Sequence, residues 1–130
     1  MAQEVLSGFR LSPQQQHLWS LGAGREEASY RALCGVRVEG VLDTRELERA
    51  LAHLIERHEI LRTSFPLLPG LERPLQVIAE TAPPVLERHD FTNLAPEEQE
   101  SRISGLLHEM SLRPLPKEGE PALSAALLML

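Results

Sequence analysis

The side chains with the greatest capacity for chemistry lie together in Arg57-His58-Glu59-Ile60-Leu61-Arg62-Thr63-Ser64-Phe65. Four of the six residues from 57 to 62 are charged or titratable, and apolar Ile60, Leu61 and Phe65 sit between and after them. A plain connection would carry Gly, Pro, Asn or Asp instead. Proton transfer at His58 is the chemistry such a set could offer, but a lone histidine near a helix end rarely serves it. A structural role fits the same residues. Arg57 and His58 at a helix end would complement the negative pole of the dipole, and Glu59 and Arg62 could stand in solvent.

Other site chemistries find no support. His53 and His58 are five residues apart, which does not place them on one helical face. No Cys-x-x-Cys or His-Glu-x-x-His spacing offers a metal site. No Gly-x-Ser-x-Gly elbow offers a hydrolase nucleophile.

The elements that must hold the focal stretch can be read from the flanking sequence. Asp43-Thr44-Arg45-Glu46 starts a helix, with Asp43 as N-cap and Glu46 at the third helical position. Leu47, Ala50, Leu51, Leu54 and Ile55 recur at helical spacing and predict a core face, with Glu48, Arg49, His53 and Glu56 toward water. After the stretch, 61–67 and 74–79 predict a β-hairpin turning at Pro69-Gly70. Before it, Ser12 is a good N-cap and Pro13 suits a first helical position, so a helix runs from there to Gly22-Ala23-Gly24. Leu11, Leu18 and Trp19 should anchor that helix to a core. Tyr30 to Glu39 reads as a strand marked by Leu33, Val36 and Val38. Val85 to Arg88 is a short strand. Asp90, Thr92 and Asn93 form a loop before a helix from Pro96 to about Ser111, whose stripe is Ile103, Leu106, Leu107 and Met110 and whose acidic start suits the dipole. The run Ala122 to Leu130 is open to either a short helix or a strand, although Ala is a poor strand former.

Composition bounds the class. The 130 residues make one small domain, and 42% apolar content is ordinary for a globular protein. A net charge of −6 without a basic run argues against a nucleic-acid partner. The single Cys34, between Leu33 and Gly35-Val36, reads as a buried core thiol in a reducing, cytoplasmic setting. The N-terminal residues lack the pattern of a signal peptide. No stretch of about 18 apolar residues predicts a membrane span.

Two motifs carry a family resemblance. Arg-His-Glu-x-Leu-Arg-Thr-x-Phe, filled by Arg57, His58, Glu59, Leu61, Arg62, Thr63 and Phe65, resembles the second core motif of nonribosomal peptide synthetase condensation domains. Leu-Ser-Pro-Gln-Gln-x-x-Leu-Trp resembles the first, through Ser12, Gln15, Leu18 and Trp19, with His17 in place of the usual Arg. The resemblance covers essentially the whole chain but only the beginning of such a domain.

The resemblance implies an α/β sandwich: part of a chloramphenicol-acetyltransferase-like lobe, with about three helices packed on a mixed sheet. It favours a strand over a helix for the final run. It implies amide formation between a thioester donor and an amine acceptor, each on a carrier protein. Phosphopantetheine would belong to those carriers, and no cofactor would be bound directly. The family's His-His-x-x-x-Asp-Gly motif, whose second histidine acts as base or positions the amine, is absent; its place would be shortly beyond Leu130. His58 is therefore not expected to substitute for it, and the matched residues are expected to act as scaffold. Arg62 is expected to brace a loop aspartate, or to be exposed or paired locally if that partner is missing. The remaining synthetase domains are implied partners. The apolar end Leu127–Leu130 implies a partner surface or further chain, and an open sheet edge would favour self-association. A non-catalytic binding module, or an acyltransferase, epimerisation or heterocyclisation relative, stays open.

Overall fold

The computed structural model describes residues 8–23 and 31–130. Helix α1 (Pro13–Leu18) starts at Ser12, whose hydroxyl accepts from the Gln15 backbone while the Gln15 side chain accepts from the Ser12 backbone. This reciprocal cap satisfies two amide donors that a helix start leaves open. The helix continues past Leu18 and breaks at Gly22, whose φ of 103° is non-helical, within the predicted end at Gly22-Ala23-Gly24. Gly24 and the start of the predicted strand at Tyr30 lie outside the described residues. Leu11 is buried and Trp19 half-buried, as an anchoring role requires, but Leu18 is exposed.

Helix α2 (Thr44–Arg57) begins at Asp43, whose carboxylate accepts from the backbone of Arg45 (2.9 Å) and Glu46 (3.2 Å). Ile55 is the residue of its apolar face that is fully enclosed, at 2% exposure, while Leu47 and Leu51 are half-buried and Leu54 is exposed. Glu48, expected in water, is half-buried and accepts from Arg88 Nη2 at 2.6 Å.

The hairpin forms from β1 (Thr63–Ser64) and β2 (Val77–Ile78), antiparallel, with Thr63 opposite Ile78 and Ser64 opposite Val77. Its ladder is shorter than the alternating sequence predicts, because Pro66 and Pro74 each remove a backbone donor, one on either arm. Gly70, at φ 84°, supplies the left-handed residue of the expected turn. Strand β3 (Val85–Asp90) pairs in parallel with β4 (Ser124–Met129), Val85 opposite Ser124 through Asp90 opposite Met129. Helix α3 (Pro96–Ser111) connects them, as a parallel crossover requires. Among the described residues, three helices thus accompany one antiparallel and one parallel ladder, the α/β class the sequence indicated. On α3, Ile103, Leu106 and Met110 are half-buried and Leu107 is exposed.

Two expectations fail for one reason. Arg31–Glu39 forms no strand ladder, and Cys34 is exposed instead of buried. A strand exists only with a partner for its backbone, and among the described residues nothing pairs with this run. Its apolar alternation therefore finds no core to enter. Among the described residues, no helix is long and apolar enough to cross a membrane.

Since one carboxylate satisfies two backbone donors at the start of α2, Asp43→Ala should lower stability by about 1 kcal/mol. Urea unfolding followed by helical circular dichroism checks this.

Candidate functional site

The focal stretch folds as a sequence of tightly bonded turns. Helix α2 ends at Arg57, and His58 leaves helical geometry while its amide still donates to the Leu54 carbonyl (3.0 Å). Glu59–Arg62 is one 3₁₀ turn, and the Thr63 hydroxyl closes it by donating to the Glu59 carbonyl (2.7 Å). Thr63 and Ser64 are 2% and 4% exposed, which explains why a small side chain with its own hydrogen bond is needed at position 63. Arg57, His58 and Glu59 face solvent; Leu61, Arg62 and Phe65 are partly enclosed.

Arg62 is the most enclosed charged side chain of this motif, at 16% exposure. Its Nη1 donates to the Ala79 carbonyl at 2.6 Å, and its Nη2 lies 3.8 Å from the Glu59 carboxylate. The Ala79 amide donates back to the Arg62 carbonyl at 2.9 Å. Among the described residues Arg62 is paired locally, by a carbonyl together with a marginal ion pair. Its Nε is buried without a hydrogen-bond partner among the described residues.

The first motif reaches the same hairpin from the other side. Phe9 and Gln76 exchange two backbone hydrogen bonds, both 2.8 Å. Gln15 Nε2 donates to Gln76 Oε1 (2.9 Å), and Gln76 Nε2 donates to the Arg10 carbonyl (2.9 Å). Ser12 and Gln15 therefore work together, one capping α1 and the other tying the cap to Gln76. Trp19 and Leu18 stay outside this hydrogen-bonded set. Residues 76–79 are where the two motifs meet: Gln76 serves the first, and Val77 to Ala79 serve the second. Sequence reading missed Gln76 and Ala79. Gln76 was visible as a polar residue inside an apolar strand, but Ala79 contributes only its backbone and leaves no side-chain signal.

The geometry is that of a brace. The His58 side chain is exposed and makes no hydrogen bond or ion pair among the described residues, so no neighbouring group orients it. No group of three His, Cys, Asp or Glu side chains suited to a metal occurs among the described residues.

A second polar cluster joins α3 to β3 and was not foreseen. Arg113, just past α3, grips Glu87 of β3 in two-point contact, with Nη2 to Oε2 at 3.0 Å, and also reaches Glu109 at 3.4 Å. The Arg113 hydrogen bond holds the Glu87 carboxyl below the usual range, against a smaller opposing effect of burial. His89 Nε2 lies 3.6 Å from the same carboxylate. Arg31 Nε donates to the Arg113 carbonyl at 2.8 Å, and its Nη2 donates to the Pro114 carbonyl.

Comparison with known proteins places these features in context. The family model described as Condensation domain matches residues 7–130. The chain is 36% identical over 122 residues to chondramide synthase cmdD of Chondromyces crocatus, covering 91% of this chain and 3% of that protein. It is 36% identical over 119 residues to a linear gramicidin synthase of Brevibacillus parabrevis, covering 91% of this chain and 2% of that one. In fold it is similar to the first condensation domain of the CDA synthetase, with a TM-score of 0.65 at 21% identity, over 95% of this chain and 32% of that one. The chain thus spans only a few hundredths of the length of these curated relatives.

The Glu87–Arg113 pair has a defined pH signature. Because the folded state lowers the Glu87 pKa, its contribution is fully present above the usual carboxylate range and is lost as pH falls through the lowered value. Arg113→Met should cost about 2 kcal/mol at neutral pH. The stability gap to the parent should close on acidification, and the Glu87 carboxyl should titrate higher by carbon-13 NMR.

Proposed function

Because the chain belongs to the condensation domain family, we propose that it is the N-terminal part of a domain that forms amide bonds between carrier-bound substrates. The observation that carries this reading is the match over residues 7–130, in which both recognised motifs pack against the single strand segment 76–79. In the proposed reaction, a neutral acceptor amine attacks the carbonyl carbon of the donor thioester. The C–N bond forms, the C–S bond breaks, and the amine gives up a proton as the thiolate leaves and is protonated. Such a step needs the two reactants held in line and the developing oxygen charge stabilised.

The residues of this chain serve the positioning side of that chemistry. Ser12, Gln15, Thr63 and Arg62 fix the hairpin to α1 and α2, while Arg57, His58 and Glu59 form the exposed corner above it. The buried, unpartnered Nε of Arg62 fits a guanidinium that would also support a further loop of the complete domain. The substrates would arrive on phosphopantetheine arms of peptidyl carrier proteins, in the cytoplasm, with the other synthetase domains as covalent or docked neighbours. The chain would hold no cofactor of its own and occupy part of one domain.

A second reading rests on a different observation: the run 32–42, exposed and without a backbone partner among the described residues, suits association through an open sheet edge.

The amide-forming role is tested by replacing the corresponding segment of an active condensation domain with residues 7–130. The chimera should condense donor and acceptor carrier thioesters to an amide product visible by mass spectrometry. The 130-residue chain alone, lacking any His-His pair, should give no product above background. A folded but inactive chimera, or an active isolated chain, would overturn the proposal.

A further inference from the structure

We draw no further inference here: the strongest candidate, the side-chain cluster between β3 and the end of α3, where the buried Nε2 of His89 lies 3.6 Å from the Glu87 carboxylate that Arg113 already holds, belongs to the clasp described above, and nothing in the structure shows a ligand or partner that would reach it.

Discussion

Residues 76–79 must satisfy their backbone on two sides, and the arrangement of the N-terminal half follows from that requirement. Gln76 exchanges both of its backbone bonds with Phe9, and Val77 and Ile78 pair with Ser64 and Thr63. Ala79 then bonds to the main chain and the side chain of Arg62. A buried backbone group left unpaired costs as much as a lost hydrogen bond, so the segment can sit only where both neighbours are present. The cap of α1 is bound to it through Gln15, and the end of α2 through the turn 59–62. Leu11, Ile55 and Val77 are the enclosed apolar side chains among the described residues, and Thr63, Ser64 and Pro74 fill the space beside them. Polar ties therefore carry an unusual share of the work of alignment.

The second half is held by charge. β3 alternates, so Arg88 points one way to Glu48 of α2 while Glu87 points the other way to Arg113. One strand is thereby clasped from both faces. The two pairs differ in weight. Arg88 and Glu48 are nearly half exposed, where screening leaves little net stability. Glu87 and Arg113 are more enclosed and meet in two-point geometry, which makes that pair the stronger restraint on the end of α3. A single bond from the Ala122 amide to the Leu61 carbonyl (2.7 Å) then brings the start of β4 back to the focal turn.

What could be read from sequence was local. Ser12, Asp43, Pro13 and Pro96 act within one helical turn of themselves, and the starts of all three helices fell where those residues predict. The turn at Pro69-Gly70 is local in the same sense. The strand at 124–129 went against alanine propensity and came from family resemblance; pairing with β3 overrides the weak preference. Contacts across long separations were not legible. Gln15 meets Gln76 across 61 positions and Arg31 meets the Arg113 carbonyl across 82, and neither pattern marks its partner. The matched motif residues were recognisable as a set, yet their division into buried Thr63, paired Arg62 and exposed His58 depends on where β2 lies.

The failure at 31–39 is instructive because the local signal there was sound. Leu33, Val36 and Val38 alternate as strand residues should, and Cys34 has the neighbours of a core thiol. Alternation fixes which side of a strand is apolar; it does not supply the strand beside it or the layer beneath. Two-stranded ladders are marginal in water, and parallel sheets are ordinarily covered on both faces. β3 and β4 form such a parallel pair, with only half-buried residues along most of β4. The unpaired run and the thin parallel sheet thus express the same shortage: more strand edge than the described chain can cover. Sequence pattern predicts an element correctly only when the pairing surface it was shaped for is present, and among the described residues no strand lies beside 31–39.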